Sequence, residues 1–187
     1  MKRITSLSLA VLIGMLGSGC SMMAPQYTAA VPNVEKLKNA GEYTAKVGTF
    51  DSDKNSANAN PISLRGSSLV SPYNNSYANY LGEAIKQELA LAGKLAAGAE
   101  VEISGVLLKN DIDAAGFSVA HGDIEARFVV QKAGKVRYDQ VKSVRHEWES
   151  SFVGAIAIPR AQQEYPNLVQ RLLAALYEDQ SFLQALK

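Results

Sequence analysis

Hydrophobic and polar residues change rhythm several times along this chain, and the changes divide it. Ile4 to Leu16 (ITSLSLAVLIGML) is an almost continuous apolar run. Lys2 and Arg3 precede it, and Gly17-Ser18-Gly19 closes it. A helix needs about 20 apolar residues to cross a bilayer, so the run is too short to span comfortably. Two charges, a short apolar core and small residues at its end have the layout of a secretory signal. The next stretch, SMMAPQYTAAVPNVEKLKNAGE from Ser21 to Glu42, has little periodicity and is interrupted by Pro25 and Pro32. It is expected to be a flexible tether over residues 20–42, reaching up to about 3.3 Å per residue between the signal, residues 1–19, and one domain, residues 43–187.

Inside that domain the period alternates between two and about three and a half. YTAKVGTFD places Tyr43, Ala45, Val47 and Thr49 on one face, as a strand does. After a polar Asn- and Ser-rich stretch, Ile62 to Val70 is expected as a short edge strand closing a hairpin. A helix is expected to start at Ser71-Pro72 or nearer Ser76. Leu81, Ala84, Ile85, Leu89 and Ala92 form its apolar stripe, with Glu88 the one polar member, and Gly93 is its expected stop. Tyr73, Tyr77 and Tyr80 near its start fit a domain rim or a binding surface.

Three strand-like segments follow. Val101, Ile103 and Leu107 alternate with polar residues in the first, and Ile124, Ala126, Phe128 and Val130 in the second. Ala133-Gly134 is the expected turn into KVRYDQVKSVRHEWESSF, whose pattern changes phase between Tyr138 and Val144, so a bulge is expected there. Short turns between consecutive strands imply an antiparallel meander. The chain is then expected to leave the sheet through VGAIAIPRAQQEY and to enter a helix at Pro166, with Leu168, Val169, Leu172, Leu173 and Leu176 on its apolar face. SFLQALK adds a short C-terminal helix. Two main helices that must bury one stripe, and a mostly antiparallel sheet that must bury one face, predict an α+β two-layer sandwich.

Charge narrows the partners. The chain has 19 Lys and Arg and 18 Asp and Glu. Loss of Lys2 and Arg3 with a cleaved signal leaves 17 against 18, and a nearly neutral protein argues against nucleic acid or anionic lipid as the main partner. There is one cysteine, Cys20, so no internal disulfide can form, and the usual reason for cysteine in an exported chain is missing.

Gly-Ser-Gly-Cys after an apolar core resembles the lipobox of bacterial lipoprotein signals. That family prefers Leu three residues before the cysteine, whereas Gly17 stands there with Leu16 one step further back. The resemblance implies that Cys20 is lipidated and becomes the mature first residue, with Ser21 directing the protein to the outer membrane, facing the periplasm. Several acyl chains at about 0.8 kcal/mol per buried CH₂ make a durable anchor. The order of elements in the domain also resembles small outer-membrane lipoproteins of the YajG-like kind, and more loosely the auxiliary lipoproteins of ABC transporters and secretion-channel lipoproteins. YLGEAIKQELALAGKL, VEISGVLL and FVGAIAIPRAQQEYPNLVQRLLAALYEDQSFLQAL carry that likeness. It implies an accessory or scaffold role in envelope assembly or transport, with an envelope protein as partner, and it supplies no catalytic residues.

The best polar constellation is NDIDAAGFSVAHGD, which gathers Asp111, Asp113, His121 and Asp123 in what reads as one inter-strand connection. Such groups could meet a partner. They could also hold a divalent cation in a metal-dependent hydrolase, but the spacing matches no known metal loop, and Gly116 and Gly122 suit a solvated turn. His146-Glu147-Trp148-Glu149 opens like a metalloprotease signature, yet Ser150 stands where the second histidine belongs. Ser150 and Ser151 lack nucleophile-elbow glycines, and there is no phosphate loop. The expectation is a non-catalytic binding or scaffold domain without metal or cofactor; self-association into a ring or multimer through sheet edges is the alternative.

Overall fold

The computed structural model describes residues 21–187. Cys20, the expected lipidation site, and the expected signal over residues 1–19 lie outside the described residues.

A four-stranded sheet of order β2-β5-β6-β7 forms one layer. Its strands are β2 (Ala45–Ser52), β5 (Val101–Asp113), β6 (Val119–Lys132) and β7 (Lys135–Glu149). β5, β6 and β7 are the expected antiparallel meander, whereas β2 runs parallel to β5 and reaches it through a helical crossover. The second layer is α2 (Tyr77–Leu91) and α3 (Gly154–Tyr177), followed by the short α4 (Gln180–Ala185). Alternate residues of β5 and β6, among them Ile103, Leu107, Ala126, Phe128 and Val130, are buried beneath these helices. Their neighbours face solvent, so the architecture is the expected α+β two-layer sandwich.

Local chemistry fixes the element ends. Ser76 caps α2, its Oγ accepting from the Asn79 amide at 3.2 Å. Ser71 does not start the helix, because its hydroxyl donates instead to the Ser76 carbonyl at 2.7 Å. Gly93 stops it at φ +71°, in the left-handed region that glycine enters without steric cost. β7 changes register between Val136 and Tyr138 opposite Gln131 and Val130, so the bulge is at Arg137, just before the interval from Tyr138 to Val144 where it was expected, and within that interval the pairing is regular. A second irregularity, at Leu108, inverts the inward face of β5, so that Asn110 and Ile112 turn into the core in place of odd-numbered residues.

Four expectations are corrected. Residues 21–42 are not a loose tether. β1 (Ser21–Met23) pairs in parallel with β4 (Ser67–Val70), α1 (Val31–Lys38) packs against α2 and α3, and Ala24, Tyr27, Asn33 and Leu37 are buried. Their partners lie far along the chain, which is why no local pattern revealed them. Ile62 to Val70 is two strands, β3 (Ile62–Leu64) and β4, joined by Arg65-Gly66 with φ +49° and +88°, a tight hairpin turn. With β1 they make a separate three-stranded sheet, not the other half of a hairpin with β2.

α3 begins at Gly154, twelve residues before Pro166, and runs through both Pro159 and Pro166. An interior proline costs about 3 kcal/mol. The buried row Ala157, Ala161, Tyr165, Leu168 and Leu172 offsets that cost by packing. Finally, Tyr77 and Tyr80 are core residues rather than rim residues. They meet Tyr165 at centroid distances of 4.8 and 5.0 Å, the first pair tilted and the second edge to face, while Tyr73 keeps partial exposure and meets Tyr80 at 5.2 Å.

Candidate functional site

The four residues singled out in the sequence do meet, but on strands and not in a loop. The inversion at Leu108 turns Asp111 and Asp113 to the solvent face of β5, and the register sets Asp111 opposite Asp123 and Asp113 opposite His121 on β6. The turn itself is only residues 114–118. Two facing carboxylates repel, and cations from neighbouring positions compensate. Arg145 of β7 donates to both oxygens of Asp123 at 3.0 and 2.9 Å, Lys109 lies at 3.4 Å, and His121 Nε2 is 3.7 Å away. The Arg145 hydrogen bonds hold the Asp123 carboxyl below its ordinary range. Asp113 accepts from the Ala115 amide at 2.9 Å and shapes the turn. Asp123 and Asp113 are thus engaged in structural contacts, and among the described residues no group of three or more His, Cys, Asp or Glu side chains is placed to hold a metal ion.

His146 is engaged elsewhere. On β7 it faces α3, with Nε2 3.1 Å from Glu164 Oε2. The same carboxylate accepts from Asn167 at 2.7 Å and lies 3.0 Å from Arg160 Nε. Burial pushes the Glu164 carboxyl up, but these donors outweigh it and hold the group below its usual range. The cluster pins α3 to the sheet.

Glu88, the polar exception in the α2 stripe, is the centre of the best-connected buried node. Its Oε1 accepts from the Tyr27 hydroxyl at 2.6 Å, the Ala30 amide at 3.2 Å and Asn33 Nδ2 at 3.1 Å. Asn33 Nδ2 also donates to the Gln170 carbonyl at 3.0 Å, which ties α1 to α3. No cation faces Glu88 within ion-pair distance among the described residues, and burial raises its carboxyl above the ordinary value despite the three donors. Glu88 Oε2 and the Tyr177 hydroxyl are both buried without a hydrogen-bond partner among the described residues. The node holds the N-terminal segment to the domain. Glu88's place in an otherwise apolar stripe was the one sequence signal for it.

A concavity of about 690 Å³ lies between β2 and the start of α2. Phe50, Tyr73, Asn79, Lys86 and Leu95 are among its walls. Its shape depends on two glycines. A Cβ on Gly82 would approach the Phe50 ring to 3.2 Å, and one on Gly105 would stand 2.7 Å from that ring and 2.5 Å from the Arg127 carbonyl. The Phe50 ring fits between α2 and β5 because both side chains are missing. β2 is an edge of its sheet. Ala45 is capped by bonds to Lys94 and Ala96, and from Lys46 onward its outer side borders the groove without a flanking strand among the described residues. Such an edge offers main-chain donors and acceptors to an extended segment. Sequence reasoning missed the groove because Phe50, Tyr73 and Leu95 come together only in the fold.

Among the described residues no helix is long and apolar enough to cross a membrane. No family model matches the chain, and no curated protein matches it. Solved structures do. A Xanthomonas campestris protein of the DUF330 family superposes with a TM-score of 0.58 at 13% identity, covering 88% of this chain and 96% of that one. A hypothetical protein from Chlamydia trachomatis gives 0.49 at 11% identity over 78% and 99%, and a lipoprotein candidate from Caulobacter crescentus gives 0.47 at 11% identity over 82% and 96%. At such identities the first likeness is one of fold, and it spans nearly the whole described domain.

Proposed function

We propose that this chain is a non-catalytic lipoprotein of the bacterial outer membrane, held by acylated Cys20, facing the periplasm, and serving as an accessory or scaffold subunit in envelope assembly or transport. The observation that carries this reading is the sequence Gly17-Ser18-Gly19-Cys20 directly after the apolar run Ile4 to Leu16, with Lys2 and Arg3 ahead of it. The likeness to YajG-like and transport-auxiliary lipoproteins points the same way. A scaffold role also suits the polar chemistry, since the most suggestive side chains, Asp123, His146 and Glu164, are spent on holding β5, β6, β7 and α3 together.

The test is Cys20→Ser in cells, followed by membrane fractionation and fatty-acid labelling. The expected outcome is loss of lipid label and release from the membrane fraction. A variant that stayed tightly membrane-bound would mean that Ile4 to Leu16 anchors the chain by itself.

A further inference from the structure

We infer that the end of the domain carrying Phe117 and Phe152 is a membrane-contact surface, seated in the interface of the bilayer that holds the Cys20 acyl chains. The inference rests on the lipid-anchor reading and adds to it an orientation: the domain is docked by a second, non-covalent contact.

Phe117, in the β5–β6 turn, and Phe152, between β7 and α3, stack with centroids 5.3 Å apart and planes within 5°. They nevertheless remain 75% and 70% exposed. Val119, Val153 and Ile156 beside them are exposed as well. A lone exposed apolar residue is ordinary, whereas a stacked pair of exposed phenylalanines, with Val119, Val153 and Ile156 exposed within four residues of them along the chain, marks an interaction surface.

The patch is built on a rigid mount. Arg65 Nε donates to the Ala114 carbonyl, its Nη2 donates to the Gly116 carbonyl at 2.8 Å and the Ser151 carbonyl at 3.0 Å, and its Nη1 donates to the Phe152 carbonyl at 2.8 Å. One side chain thereby fixes both turns.

The same arginine locates the anchor. It belongs to the β3–β4 turn, and the parallel register of β1 with β4 sets Ser21 opposite Ser68, three residues from Arg65. At 3.8 Å between successive Cα atoms, that is at most about 11 Å along the chain. Cys20 is bonded to Ser21, so acyl chains on it would start from the end of β4 that carries the Arg65 turn. No other occupant is brought there by the chain itself.

The chemistry matches a lipid interface, where aromatic and aliphatic side chains enter the region between headgroup and acyl chain. Ser118, Ser150 and Ser151 lie between the apolar residues, while Asp113 and Glu149 stand at the adjoining strand ends. The Arg65 guanidinium is committed to carbonyls. Among the described residues the two segments that form the patch, 113–119 and 149–156, contain no Lys or Arg, and with flanking carboxylates they suit zwitterionic headgroups better than anionic ones.

The test uses the full lipidated protein in phosphatidylcholine vesicles containing a nitroxide-labelled lipid. Acylation consumes the Cys20 thiol, so a fluorophore can be placed on Ser118→Cys in the patch or on Val136→Cys, an exposed position beside the β6–β7 turn at the opposite end of the meander. The expected result is quenching at least twofold stronger at position 118 than at 136, abolished by adding Phe117→Ser and Phe152→Ser and unchanged by salt. Vesicle flotation separates the two claims. Protein that fails to float overturns the lipid anchor and this orientation with it. Protein that floats but is quenched equally at both positions overturns the contact surface alone.

Discussion

Two side chains, Glu88 and Arg65, each gather several partners, by opposite chemistry and in opposite surroundings. At residues 27–33 a single buried acceptor, Glu88 Oε1, collects a phenol, a main-chain amide and a carboxamide. Near Ser21 a single donor, the half-buried Arg65, collects four main-chain carbonyls and holds up an apolar tip. The first node lies in the core, where an unpaired polar group costs the full loss of its hydration. The second lies at the surface, where water can replace a lost bond. Glu88 should therefore govern whether the N-terminal segment stays folded, and Arg65 how rigidly the tip is displayed.

Glu88→Ala should be the most damaging change. It strands the Tyr27 hydroxyl, Asn33 and the Ala30 amide in the interior, and should cost about 3 kcal/mol in urea unfolding, with accelerated hydrogen exchange over residues 24–38. Arg65→Ala should cost less, about 1–2 kcal/mol, because its carbonyl partners are close to solvent. Its exchange signature should be confined to residues 114–118 and 150–153, with the N-terminal segment as protected as before. If both variants loosened the same residues, the two nodes would not be independent.

Glu88→Gln should be the mildest, within about 1 kcal/mol of the parent, because it keeps an acceptor and is neutral. It also tests the sign of a pH effect. A folded-state pKa raised above the ordinary 4.5 means that the native protein binds this proton more tightly than the unfolded chain does. Glu88 therefore contributes its full stability below about 4.5 and loses it as pH rises through the folded-state value. Unfolding measured across that interval should show this decline in the parent, and the Gln variant should lack it.

Much of the fold was legible because the rhythms that predict it are local. Val101, Ile103 and Leu107, and the row from Ile124 to Val130, alternate because one face of an antiparallel sheet is covered. Leu81 to Leu89 repeats at helical spacing for the same reason. The misread parts owe their order to distant residues. Nothing within Ser21 to Glu42 announces that Tyr27 will meet Glu88, or that Asn33 will reach Gln170. The start of α3 was hidden by Pro159 and Pro166, although Ala157, Ala161 and Tyr165 continue the stripe of Leu168 and Leu172 at helical spacing.

The polar cluster was legible as a neighbourhood but not as a geometry. Asp111, Asp113, His121 and Asp123 do share a face. The two strands extend deeper into the segment than its glycines suggested, and Arg145, which engages Asp123, arrives from a third strand. The aromatic tip was not legible, because Phe117 and Phe152 are far apart in the chain and only the fold brings their rings together.

The account depends most on what happens at Cys20, because the anchor gives the apolar tip its bilayer. Mass spectrometry of the N-terminal peptide of the protein extracted from membranes tests this directly. The account predicts a chain that begins at Cys20 and carries acyl groups on its thiol and amino group. A peptide that still contained residues 1–19, or one beginning near residue 20 without lipid, would contradict it.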